Sequence, residues 1–167
     1  MFDELTKEDI AKMEAEIEHR KLVVRKEALE DVKEARAQGD LSENFEYKAA
    51  KQFKNQNESR IRYLEKMIKT AKIIDSKVED GVVGMNCAVD VYFVDDDITD
   101  TYTIVTTVRG NSLKNLISKE SPLGSSIFGR KVGDKVNVKV NDSINYDVII
   151  KAIRYDDSAK DLDLRKF

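Results

Sequence analysis

Gln38-Gly39-Asp40-Leu41-Ser42-Glu43-Asn44-Phe45-Glu46-Tyr47 is an acidic turn opened by a glycine, and long helical patterns flank it on both sides. Before it, Thr6-Lys7-Glu8-Asp9 matches the [ST]-x-x-[DE] helix-start signal, and Ile10, Met13, Ile17, Val24, Ala28, Val32 and Ala35 recur at near-heptad spacing. No Pro or Gly interrupts that run before Gly39. At ~1.5 Å per residue, Lys7 to Gln38 makes a rod on the order of 45 Å long. After the turn, Tyr47, Ala50, Lys54, Asn57, Ile61, Leu64, Ile68 and Ala71 alternate by three and four, which is the seam of a second helix. The seams match in length and only a few residues join them, so an intramolecular antiparallel hairpin is expected rather than a parallel dimer.

The pattern changes at Asp75-Ser76-Lys77-Val78-Glu79-Asp80-Gly81. Downstream the chain is richer in Val, Ile, Tyr and Thr, with strands expected over Cys87 to Val94, Thr101 to Val108, Lys135 to Val140 and Ile144 to Ile153. Asp95-Asp96-Asp97 and Asn141-Asp142 supply turns. Ser121-Pro122 starts a short helix that Gly129 ends. The expected fold class is α+β: a coiled-coil hairpin over 1–75, a linker at 76–80, a small sheet-plus-helix domain over 81–155 and a mobile polar tail at 156–167.

Composition excludes several function classes. Lys and Arg number 29 against 32 Asp and Glu, so the net charge of −3 offers no global basic field for duplex DNA. No apolar run approaches the ~20 residues of a membrane span, and the start lacks a signal peptide's basic residues, so a cytoplasmic protein is expected. Cys87 stands alone in a Val/Tyr/Phe-rich run, as a buried, inert thiol would. His19 is the only histidine and sits among Glu16, Glu18 and Arg20, so no Ser/His/Asp set can be assembled around a second one. Asp95-Asp96-Asp97 lacks the spaced ligand order of a calcium loop.

Asp40 and Glu43 have two readings. Their spacing is that of a capping box, with Gly39 allowing the turn, and on sequence logic alone capping is the better one. The same i, i+3 spacing also suits two carboxylates sharing a hard divalent cation near the positive end of a helix dipole. Between Lys51 and Lys72 the second helix carries Lys51, Lys54, Arg60, Arg62, Lys66, Lys69 and Lys72 against only Glu58 and Glu65. That basic side pairs with the acidic first arm or faces a polyanion.

In the arm, Glu34-Ala35-Arg36, Gly39 to Asn44, Glu46-Tyr47, Ala49-Ala50-Lys51, Arg60-Ile61 and Leu64-Glu65 together resemble the Gre family of transcript cleavage factors. Asn115-Leu116-Ile117-Ser118, Ser121-Pro122-Leu123 and Gly133-Asp134-Lys135-Val136 continue the resemblance through the second domain. The likeness is closer to GreA than to GreB. It implies an FKBP-like C-terminal domain and binding to bacterial RNA polymerase at the secondary channel. There the factor stimulates polymerase's own cleavage of backtracked RNA, without being an enzyme itself. By this resemblance Asp40 and Glu43 assist a magnesium ion shared with polymerase, with no metal held stably in isolation and no cofactor of the protein's own. Gly39, Leu41, Ser42, Asn44 and Tyr47 shape the tip. Lys51, Lys54 and Arg60 contact the RNA 3' end or the channel wall, and Ser121, Pro122 and Leu123 dock on polymerase. A monomer is expected. Where the family has an acidic segment this chain reads Thr106-Thr107-Val108-Arg109-Gly110-Asn111, placing a cation at the docking face. The alternatives are a paralogue that occupies the channel without stimulating cleavage, a prolyl isomerase and a structural adaptor.

Overall fold

The computed structural model describes residues 3–39, 44–75 and 79–166. Ile10–Ala71 forms one unit, and Glu4–Asp9 joins the residues from Lys72 onward in a second.

The first unit is the expected helical hairpin. Helix α1 spans Lys7–His19, a π-helical turn Arg20–Val24 follows, α2 spans Arg25–Ala37, and α3 returns over Phe45–Thr70. Met13, Ala28, Val32 and Ala35 are buried from the outgoing arm, and Asn57, Ile61 and Leu64 from the returning one. The single α-rod expected from Lys7 to Gln38 is thus broken by a π turn, for a reason visible in the seam. Three successive four-residue steps, Arg20 to Val24 to Ala28 to Val32, overrun a turn of ~3.6 residues. A wider turn takes up the excess. The extra width leaves the Arg20 carbonyl accepting from the Arg25 amide and from Asn57 Nδ2 at 3.3 Å.

The polar seam positions are answered across the hairpin. Arg20 donates to Asn57 Oδ1 (3.0 Å) and Glu16 (2.8 Å), while Arg25 grips Glu58 with two bonds of 2.7 and 3.0 Å. Glu16 meets Arg60 and Arg20 meets Asn57, so partner numbers rise on one helix as they fall on the other, which is the antiparallel register. Burial works against the Glu16 carboxylate, but the hydrogen bonds from Arg60 and Arg20 outweigh it and hold its pKa below the usual value.

The second unit is a five-stranded mixed sheet in the order β5-β4-β3-β7-β6, formed by β3 (Cys87–Phe93), β4 (Ile98–Val105), β5 (Leu116–Ser118), β6 (Lys135–Lys139) and β7 (Asn145–Tyr155). The antiparallel β3 pairs with both β4 and β7, and β5 runs parallel to β4. Cys87, Val89 and Val91 alternate into the core with Val136, Val138, Val148 and Ile150, under Leu123 and Ile127 of the short helix α4 (Pro122–Ile127). Burial pushes the Cys87 thiol pKa up, so it is the inert core residue expected. Gly124 is required where α4 crosses β5, because a Cβ there would lie 2.0 Å from the Ser118 carbonyl oxygen.

Some boundaries differ from expectation. The strand expected to reach Val108 ends at Val105, and Thr107–Arg109 forms a 3-10 turn. Glu4–Leu5 (β1) and Lys72–Ile73 (β2) pair in parallel, with Leu5 fully buried, so these residues join the sheet unit rather than the hairpin. Two-residue strands show no periodicity to read. The expected linker falls in part outside the described residues.

The polar extension has internal contacts. Asp157–Asp161 forms a 3-10 turn, Ala159 is 1% exposed, and the Arg165 amide donates to the Val108 carbonyl. Arg109 explains the hold. It is 4% exposed, forms an ion pair with the buried Asp9, and donates to the carbonyls of Ala159 and Leu162, each at 3.1 Å. The cation that stands out of place in the family pattern is therefore turned inward.

On the sheet, Arg154 grips Asp90 at 2.9 and 3.0 Å and the Thr101 hydroxyl donates to it at 2.6 Å, which lowers the Asp90 pKa to about 2. A depressed carboxyl pKa stabilises above the unfolded value of ~3.9 and loses that contribution as pH falls toward the folded value. Urea unfolding of wild type and Asp90→Asn should show a constant stability gap above about pH 5 that closes as pH approaches 2. A gap that does not change with pH would refute the assignment.

Candidate nucleic-acid interface at the arm tip

Asn44 organises the start of α3. Its side-chain oxygen accepts from the Tyr47 amide at 3.0 Å, which makes it the N-cap, and its amide nitrogen donates to the Ala35 carbonyl of α2 at 2.8 Å. One side chain thus satisfies an orphan donor of the returning helix and adds a second bond to the Ala35 carbonyl, which also accepts from the Gln38 amide at 3.3 Å. Gly39 adopts φ +122°, which side-chain-bearing residues rarely take. Asp40, Leu41, Ser42 and Glu43 lie outside the described residues. Because Asn44 supplies the cap, the start of α3 does not need the Asp40/Glu43 capping box. Asn44→Ala should cost about 1–2 kcal/mol, read as a lower thermal midpoint at 222 nm. An unchanged midpoint would show that neither bond matters.

Tyr47 is half-buried, and the Arg36 guanidinium lies 5.6 Å from its ring centroid. A hydrogen bond to Arg36, supported by the charges of Lys51, Arg36 and Lys54, holds the Tyr47 hydroxyl pKa below its usual value. Lys51 is exposed and Lys54 half-buried. Arg60 is not with them. It is 6% exposed and bound to Glu16 at 2.9 and 3.2 Å, with its guanidinium 5.5 Å from the Tyr63 ring centroid. The expectation that it contacts RNA or the channel wall is corrected, because Arg60, one turn from Asn57 and Leu64 of the seam, is held against Glu16 of α1. Sequence reading passed over Phe45, Lys48 and Arg36 as site residues. Phe45 is 81% exposed, with the Lys48 ammonium 5.6 Å from its ring centroid. The signal available was an aromatic at a first-turn position off the seam.

In the sheet unit, the Ser121 hydroxyl caps α4 by accepting from the Gly124 amide at 3.0 Å, and Pro122 is exposed. Leu123, expected to dock on a partner, is 8% exposed and packs in the core, because the second position of this helix points at the sheet. A cleft of ≈ 690 Å³ is lined by the 107–118 segment and by 162–166, including Arg109, Lys114, Arg165 and Lys166. Its lining contains no aromatic ring, unlike the aromatic-lined apolar pocket that a prolyl isomerase would need. No helix among the described residues is long and apolar enough to cross a membrane.

Residues 4–73 match the N-terminal domain model of the GreA/GreB transcription elongation factors, and residues 78–155 match the C-terminal one. The chain is 44% identical over 137 residues to transcription elongation factor GreA of Thermoanaerobacter pseudethanolicus, covering 81% of this chain and 87% of that protein. It is likewise 44% identical over 136 residues to GreA of Geobacillus kaustophilus, covering 81% and 86%. A crystal structure of GreA factor homolog 1 (Gfh1) of Thermus thermophilus aligns over 92% of this chain and 99% of that one, at 24% identity and a TM-score of 0.43. With both domain models matched in order and relatives this similar along most of their length, the chain belongs to the GreA/GreB family of transcription elongation factors.

Proposed function

We propose that this protein binds bacterial RNA polymerase in the cytoplasm as a monomer and inserts its hairpin through the secondary channel. There it stimulates polymerase's intrinsic cleavage of backtracked RNA, so that an arrested complex resumes synthesis. The chain acts as a factor, and the bond is broken in polymerase's active site. Asp40 and Glu43 provide the hard oxygen donors that magnesium takes, typically one or two per ion with waters completing the shell. An ion shared with polymerase would supply water activation and charge stabilisation in phosphodiester hydrolysis. Asn44 holds the two arms together at the start of α3, and Lys51 and Lys54 offer counter-charge to an RNA 3' end.

The observation that supports this reading best is the cap. With Asn44 starting α3 and tying it to Ala35, the neighbouring acidic pair is spared for chemistry. The test is a stalled elongation complex with RNA labelled at its 5' end. Shortening from the 3' end, followed by resumed extension, is the expected result. Loss of synthesis without shortening would instead identify a channel-occupying inhibitor.

A further inference from the structure

We propose that Phe45 is a nucleobase-stacking site, receiving an unpaired base at the extruded RNA 3' end. The inference rests on the functional reading above and adds a ligand contact to it. Phe45 is the first residue of α3, and with 81% of its surface exposed its ring contributes little to the hairpin seam. Among the described residues the other exposed aromatics, Phe53, Tyr63 and Tyr155, show 43%, 40% and 44%.

The ring's surroundings favour a nucleotide over an apolar protein face. Lys48, one turn on, places its ammonium 5.6 Å from the ring centroid. Lys51, a further turn on, is exposed. The carboxylates of Asp31, Glu34 and Glu46 line a groove with Ala49, Ala50 and Phe53, and that lining leaves out Phe45, Lys48 and Lys51. An exposed ring with an ammonium beside it matches a base with its phosphate, because stacking tolerates any base while the cation meets the backbone. A protein partner would call for a contiguous apolar patch.

Stacking of this kind makes Phe45→Ala about tenfold weaker, measured as the factor concentration giving half-maximal cleavage of stalled complexes. Phe45→Trp, with the ring enlarged, should retain wild-type concentration dependence. The deciding arm uses RNA whose extruded 3' nucleotides are abasic, on which wild type and Phe45→Ala should become equal. Circular dichroism of both variants checks that the exposed substitution leaves the helices intact. Wild-type behaviour of Phe45→Ala on ordinary RNA overturns the proposal. So does a defect that persists undiminished on abasic RNA, which would place the ring against the channel wall. Failure of wild type to shorten any stalled RNA overturns the functional reading, and this inference with it.

Discussion

Replacing Asp40 by Asn and Glu43 by Gln together should reduce cleavage of stalled transcripts by on the order of 10²–10³, while helicity and thermal midpoint stay near wild type. Carboxylate assistance to a catalytic metal stabilises transition-state charge by several kcal/mol, and each ~1.4 kcal/mol is a factor of ten in rate. The amides keep size and hydrogen-bonding capacity, so only the charge is lost. Folding is insulated from the change because the start of α3 is held by Asn44, whose bonds to Tyr47 and Ala35 involve neither acid. Unaltered cleavage by the double variant would remove the carboxylates from the mechanism. A matching loss of helicity would return them to a capping role.

The second large effect lies in the sheet unit. Asp9→Asn keeps an oxygen able to accept from the Thr6 amide, which the Asp9 carboxylate now does at 3.0 Å, but removes the charge facing Arg109. Side chains of these two residues are 1% and 3% exposed, so the substitution takes the negative charge out of a buried ion pair. Breaking such a pair from one side costs about 3–5 kcal/mol. At ~2–4 °C per kcal/mol for a protein of this size, the thermal midpoint should fall on the order of 10 °C. Arg109→Met removes the cation itself and the donors to Ala159 and Leu162, so it should in addition raise hydrogen exchange and protease sensitivity in residues 157–166. A midpoint within a degree or two of wild type for both variants would mean that the pair contributes nothing.

Asp9 and Arg109 also mark a limit of sequence reading. Asp9 was legible as half of a capping box, and the structure has it, with Thr6 and Asp9 exchanging bonds of 3.0 and 3.2 Å. Its partner is 100 residues away, and nothing in either local pattern connects them. Arg109 therefore read as an exposed charge at a docking face, and the polar extension as a mobile tail. Arg60 failed for a related reason. Counting cations along α3 identified a basic helix but could not separate those facing outward from the one that the seam turns toward Glu16.

The sequence by itself determined the hairpin, its seam, the acidic tip, the strand alternation and the α+β division, because these follow from periodicities of seven and two and from turn chemistry within a few residues. Tertiary structure alone decided which polar groups meet: Glu16 with Arg60, Arg20 with Asn57, and Asp9 with Arg109 and the C-terminal carbonyls. It also decided that Asn44 joins the two arms and that Phe45 is left facing solvent. Such pairings depend on proximity between segments far apart in the chain. A local pattern specifies which face a residue occupies, but not what that face meets.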